Sequence, residues 1–178
     1  TMNNSSYPAS LVGDPEAPAV VFVRGNPEAF RHRRVGIIGT RAATARGKHF
    51  AHTIGAQLAA SGVAVVSGLA RGIDVESHAG ALSVMGETAG PPIAVVASGL
   101  DVVYPREHAR IWEDVAMRGV LLSESPPGVH PEPFRFPMRN RIIAALSEVL
   151  VVVESRSTGG SMSTVREAMK RDVAVMAV

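Results

Sequence analysis

Cysteine is absent from the 178-residue chain, which excludes a disulfide framework, a thiol nucleophile and a cysteine-ligated metal. No apolar run approaches the roughly 20 residues that a membrane-crossing helix needs, so no membrane partner is expected and a cytoplasmic home is the default. The opening Thr1-Met2-Asn3-Asn4-Ser5-Ser6 lacks the apolar stretch of a signal peptide. Residues 1–6 read as a cloning remnant and residues 7–178 as one domain, a length that suits one sizeable core and not two. Two motifs are missing as well. There is no G-x-S-x-G elbow to support triad hydrolysis. There is no G-x-G-x-x-G followed by an acid, and the second strand ends in Ser67, so no nicotinamide or flavin cofactor is expected. His49 and His52 stand at helical i, i+3 spacing without a third ligand, and read as surface residues, not metal ligands.

Acids and lysine are unevenly missing. Ala29 to Ile73 contains no Asp or Glu but carries seven cations: Arg31, Arg33, Arg34, Arg41, Arg46, Lys48 and Arg71. A second acid-free run, Pro133 to Ser147, holds Arg135, Arg139 and Arg141. The net charge is only +2, so the clustering matters more than the total, and it predicts a one-sided positive edge. Sixteen of the 18 cations are arginine, whose planar fork suits phosphate and stacks on bases; codon bias produces the same excess, so arginine identity is weak evidence. With 46% hydrophobic and 19% charged residues the chain reads as a folded soluble domain.

The chain is organised around Val35-Gly36-Ile37-Ile38-Gly39-Thr40-Arg41, an apolar strand that turns through glycine, a hydroxyl and an arginine into a helix. That helix is expected from a Thr44 cap to Ser61-Gly62, with Phe50, Ile54 and Leu58 on one face at i, i+4, i+8. Further strands are expected at Val20–Val23, Val63–Val66, Ile93–Ala97, Val120–Leu122, Val149–Val153 and Val173–Val178. Further helices are expected from an Asp74 cap to about Met85, at Glu107–Arg118 with Trp112 partly buried, at Met138–Leu146 and at Met162–Arg171. Pro126 to Pro137 holds five prolines and is expected to be irregular. The chain stops inside its final strand, so a longer protein continuing past Val178 is expected.

Strands and helices alternate, and the strands are continuous apolar runs. That pattern predicts an α/β domain with a doubly wound, mostly parallel sheet covered by helices on both faces. Ligands of such sheets sit beyond the carboxyl ends of the strands. Four glycine- or hydroxyl-rich loops leave those ends: Gly39–Arg41, Ser67–Asp74, Ser98–Asp101 and Glu154–Ser161.

Gly39-Thr40-Arg41 directs backbone N–H groups, a hydroxyl and a guanidinium at one place, which suits an anion. No carboxylate opens the following helix, so none is expected to compete for its positive end; a plain tight turn is the blander alternative. In Ser67–Asp74 the glycines Gly68 and Gly72 allow close backbone approach, Arg71 is expected to lean toward the first loop, and a capped turn is the simpler reading. Phe136-Pro137-Met138-Arg139-Asn140-Arg141 joins an aromatic to two arginines and an amide, as single-strand binding without sequence readout requires; the alternative buries Phe136 and leaves the arginines solvated. Ser157-Thr158-Gly159-Gly160-Ser161 suits phosphate binding or plain capping by Ser161 or Thr158.

In order and spacing, VGIIGTR, SGLARGID with the following His78, SGLDVVYP, LLSE, FPMRNRIIAALS, VVVE and GGSMST resemble the DNA-processing protein A family (DprA, also called Smf), from about Tyr7 to Val178. The resemblance implies a Rossmann-like domain that binds single-stranded DNA, forms a homodimer, helps load RecA recombinase during natural transformation, and has no cofactor or established catalysis. It implies that Gly39, Thr40 and Arg41 contact phosphate and that Phe136, Arg139, Asn140 and Arg141 belong to the FPxRNR segment. Many relatives carry a lysine three residues before that phenylalanine; here the position is Pro133, with Arg135 the nearest cation. The DNA-binding candidates are therefore Gly39, Thr40, Arg41, Arg46, Lys48, Ser67, Gly68, Arg71, Arg135, Phe136, Arg139, Asn140, Arg141, Gly160 and Ser161, with no catalytic residue among them.

Two alternatives stand beside it. A lysine-decarboxylase-like phosphoribohydrolase carries P-G-G-x-G-T-x-x-E; Gly159 to Glu167 is one residue longer with serine for the third glycine, and would use Glu167 at the reacting sugar and Arg139 on the phosphate. A mononucleotide-binding module is the other.

Overall fold

The computed structural model describes Thr1 and residues 7–178. Residues 2–6, most of the stretch read as a cloning remnant, lie outside the described residues. The strands are β1 (Phe22–Gly25), β2 (Arg34–Gly39), β3 (Ala64–Ser67), β4 (Pro92–Val96), β5 (Val120–Ser123), β6 (Val149–Val153) and β7 (Ala174–Ala177). The α-helices are α1 (Ala45–Ala60), α2 (Ile73–Ser83), α3 (Ala109–Arg118), α4 (Arg135–Leu146) and α5 (Ser161–Lys170). The strands form one sheet in the order β1-β5-β4-β3-β2-β6-β7. Every pairing is parallel except β1 with β5.

From β2 to β6 apolar–polar alternation is missing because both sheet faces are covered there; β7, at the sheet edge, is exposed along its whole length. In β2, Ile38 packs with Ile142, Ile143 and Leu146 of α4, Val165 of α5, and Tyr7 and Leu11 of the lead-in. Its neighbour Ile37 points the other way, to Ala51 and Ala59 of α1 and Ile73 and Ala81 of α2. Trp112 and Val115 of α3 complete that second face over Ala94, Val96 and Leu121. The sheet order runs outward from β2 in both directions, so β2 and β6 flank a switch point where two crossovers diverge. A crevice opens there in doubly wound sheets.

Four local expectations need correction. The fully buried stripe of α1 is Gly47, Ala51, Gly55 and Ala59; Ile54 and Leu58 pack half-buried against the same core, and Phe50 is exposed. Small residues face inward because α1 and α2 nearly touch: a Cβ on Gly55 would fall on the Ser77 carbonyl, and one on Gly80 on the His52 carbonyl. Asp74 does not cap α2. Gly72, at φ +78°, is the cap residue, and Asp74 lies buried in the first turn. Helix α4 begins at Arg135, three residues early, because Pro137 falls in its first turn, where a missing N–H breaks no helical hydrogen bond. Trp112 is wholly buried, not partly.

The lead-in is strapped to the sheet. Tyr7 donates its hydroxyl to the Pro18 carbonyl at 2.6 Å, and Arg171 at the end of α5 pairs with Asp14 at 2.6 Å and Glu16 at 2.9 Å. No helix among the described residues is long and apolar enough to cross a membrane.

Candidate nucleic-acid interface

A cleft of about 840 Å³ lies beyond the carboxyl ends of β2 and β6, in the upper range for ligand sites. It brings together Gly39, Thr40 and Arg41 at the end of β2, Phe136, Arg139 and Asn140 on α4, and Gly160 and Ser161 at the start of α5. Eight of the fifteen candidates thus meet in one place, contributed by three separate elements.

Arg41 is exposed, and its guanidinium carbon sits 4.8 Å from the centroid of the Phe136 ring. Tyr104 adds a second aromatic, its ring 5.9 Å from that of Phe136 and tilted by 54°. Thr40 is fixed on both sides: its N–H donates to the Glu154 carbonyl at 2.7 Å, and its hydroxyl oxygen accepts from the Ala42 N–H at 3.2 Å. The turn therefore presents Arg41 from a rigid base.

Arg139 and Asn140, which line the cleft, also tie its floor together. Arg139 is buried, and its Nη1 donates to the carbonyls of Gly68 at 2.7 Å and Val95 at 2.6 Å. Its Nε donates to Asn140 Oδ1 at 3.1 Å, and Asn140 Nδ2 donates to Ser163 Oγ at 2.7 Å. The pair clamps β3, β4, α4 and α5 beneath the cleft. Burial pushes the Asp74 carboxyl above its usual range, against the pull of Arg139. Burial likewise draws Arg139 down to about 10, with Asp74 acting against it. The arginines of this segment are accordingly not solvated, and Gly68 contributes by lacking a side chain: a Cβ there would strike the Arg139 guanidinium.

The remaining candidates lie outside the cleft lining. Ser67 is buried and donates to the Ile37 carbonyl at 2.6 Å, joining β3 to β2. Arg71 pairs with Glu107, and with Gly68 it lines a small adjoining pocket that Arg41 of the first loop and Phe136 share. Arg135 pairs with Glu132 at 3.1 Å, and Arg141 with Glu124 at 2.6 Å and the Glu16 carbonyl. Arg46 and Lys48 are exposed on the first turn of α1.

The acid-free run is therefore not an acid-free surface. Arg31 meets Glu28, and Arg33 and Arg34, at the far end of β2, meet Glu148. Carboxylates distant in sequence answer three of the seven cations, Arg33, Arg34 and Arg71, and of the seven only Arg41 lines the cleft. The α1 N-terminus is also occupied. Glu154 Oε2 accepts from the Thr44 N–H at 2.9 Å and Oε1 from the Thr44 hydroxyl. The Thr44 contacts hold its carboxyl below the usual range. An anion captured by Gly39-Thr40-Arg41 thus relies on the arginine and the loop, not on the helix end.

Sequence reasoning missed Arg156 and Arg166, which line the far side of the cleft with Thr158, Ser163 and Thr164. The signal was present, since Arg156 lies inside the hydroxyl-rich loop already singled out. Neither Ser161 nor Thr158 caps α5; Gly160 takes that position without a side-chain bond. Glu167, the acid that a phosphoribohydrolase would need, instead accepts from Lys170 at 2.8 Å and Arg171 at 2.7 Å and is outside the cleft lining. His78 is fully buried, with both ring nitrogens unpartnered and the Ser67 backbone close by without hydrogen-bond geometry. Burial lowers its pKa to about 4.

The family model for DNA recombination-mediator protein A matches residues 1–178. The chain is 38% identical over 178 residues to the DNA processing protein DprA of Bacillus subtilis, covering 99% of this chain and 59% of the relative. Among solved structures, the DNA processing protein A of Streptococcus pneumoniae superposes with a TM-score of 0.90 at 35% identity, over 98% of this chain and 60% of the other. The Helicobacter pylori protein, described in its single-stranded DNA binding mode, superposes with a TM-score of 0.87 at 29% identity, over 96% of this chain and 77% of the other. The chain thus spans about three fifths of the first two relatives. With the family model, the Rossmann-like sheet and the convergence of the GTR and FPMRNR segments on one cleft in agreement, the chain belongs to the DNA recombination-mediator protein A family.

Proposed function

We propose that this chain binds single-stranded DNA in the cleft between β2, α4 and α5. Arg41 holds a backbone phosphate at one wall, Arg156 and Arg166 hold the strand at the other, and bases stack at Phe136. In the whole protein this binding serves to protect incoming DNA and to help load RecA recombinase during natural transformation, in a cytoplasmic homodimer; family membership supports that part. The protein works by binding, and no residue is assigned to a catalytic step.

The observation that carries the reading is the layered Arg41–Phe136 pair at the edge of a cation-lined cleft. Aromatic stacking beside cations is how strands are held without sequence readout, and the single-strand binding of the Helicobacter pylori relative supports it. The test is fluorescence anisotropy with labelled single- and double-stranded oligonucleotides across a salt series. Tighter binding of single strands of any sequence, weakening steeply with salt, is expected. Equal binding of duplex, or tight binding of a free mononucleotide with none of the strand, contradicts it.

A further inference from the structure

Phe134 stands beside the cleft and does not line it, whereas Pro133 and Phe136 on either side of it do. More than half of it, 54%, is open to solvent. A lone exposed phenylalanine needs no explanation; this one is backed. The Arg135 guanidinium carbon lies 4.9 Å from its ring centroid. That guanidinium is itself pinned, Nε donating to Glu132 Oε2 at 3.1 Å and Nη1 to Ser125 Oγ at 3.3 Å. Arg135 is the cation nearest to the position where many relatives carry a lysine, but its charge is answered by Glu132 and its guanidinium lies over the ring.

We propose that Phe134 is a second stacking platform, taking the nucleobase next to the one at Phe136, with Arg135 as its positioning residue. The proposal rests on single-strand binding in the cleft. An aromatic ring with a cation fixed against it mirrors the Arg41–Phe136 arrangement two residues on, so the strand meets two layered arginine–phenylalanine pairs in succession. Stacking tolerates any base because every base has a π-face. It neutralises no phosphate, so it adds affinity without adding to the salt slope.

The test uses oligo(dT) of stepped length with the wild type, Phe134→Ala and Phe134→Trp, folding being checked by far-UV circular dichroism. Phe134→Ala is expected to weaken binding about tenfold for oligonucleotides long enough to reach both rings, with the salt slope unchanged. Trp112 is the only native tryptophan and is wholly buried, so the new tryptophan reports separately, and its emission is expected to be quenched by the strand. Wild-type affinity of Phe134→Ala at every length, or unmoved Phe134→Trp emission at saturation, overturns the platform and leaves the cleft reading intact. A wild type that binds no single strand overturns both.

Discussion

The Arg41 guanidinium covers a face of the Phe136 ring at 4.8 Å, so the cation and the aromatic of the cleft form one unit and not two independent contacts. A base that reaches this place stacks on the layered pair or displaces the arginine from the ring. Either way the two side chains are energetically coupled.

The coupling is measurable. Arg41→Ala and Phe136→Ala are each expected to weaken single-strand binding, the latter by about 1–3 kcal/mol. The double variant is expected to lose less than the sum. Arg41→Lys keeps the charge but not the planar group, so it is expected to retain the salt slope while losing part of the affinity. Additive losses in a double-mutant cycle would separate the pair.

His78 predicts an acid limb in stability. Its pKa is about 4 in the fold against 6.5 when free, so the unfolded chain takes up the proton first and stability falls as pH drops from 6.5 toward 4. The full effect is on the order of 3 kcal/mol. Both ring nitrogens are unpartnered, so His78→Leu removes an unsatisfied group. The variant is expected to match or exceed wild-type stability at pH 7 and to lose the limb, as urea titrations at several pH values would read.

Arg171 predicts a second, more acidic limb. Burial raises the carboxyls of Asp14 and Glu167, but hydrogen bonds outweigh it, from Arg171 to Asp14 and from Lys170 and then Arg171 to Glu167, and both titrate below their ordinary values of 3.8 and 4.5. Their contribution is thus complete above those values and is lost as pH falls through the lower folded ones. Arg171→Ala is expected to destabilise the fold by about 2 kcal/mol at neutral pH. Thermal melts should show the gap to wild type closing in acid.

The α1–α2 contact predicts intolerance of a single methyl. Gly80→Ala places a Cβ on the His52 backbone carbonyl, and the helices must separate. The expected loss is about 2–3 kcal/mol, although alanine is the better helix former. Calorimetry would show a lowered Tm.

Much of the fold was legible because buried parallel strands announce themselves as unbroken apolar runs, and β6 matches its expected span, Val149–Val153, to the residue. Helix faces were less legible. In α1 the close approach of α2 puts glycine and alanine at the contact, with Ile54 and Leu58 half-buried beside it and Phe50 left exposed, and a small-residue stripe carries little hydrophobic signal. At the site, backbone motifs located the cleft, but charge counts misled. Arg71 and Arg141 are answered by glutamates 36 and 17 residues away. Glu154 reaches the α1 N-terminus from a strand end 110 residues away. Such pairings depend on tertiary placement, which charge spacing along a chain does not encode.

The central claim is that the cleft cations hold a nucleic-acid backbone. It is tested most directly by the slope of log affinity against log salt for a single-stranded oligonucleotide, in the wild type and in Arg41→Ala, Arg156→Ala and Arg166→Ala. Each substitution is expected to lower the slope by about 0.7, the value for one phosphate contact on a single strand, and to do so equally for every sequence. Slopes that stay at the wild-type value in all three variants would contradict the account.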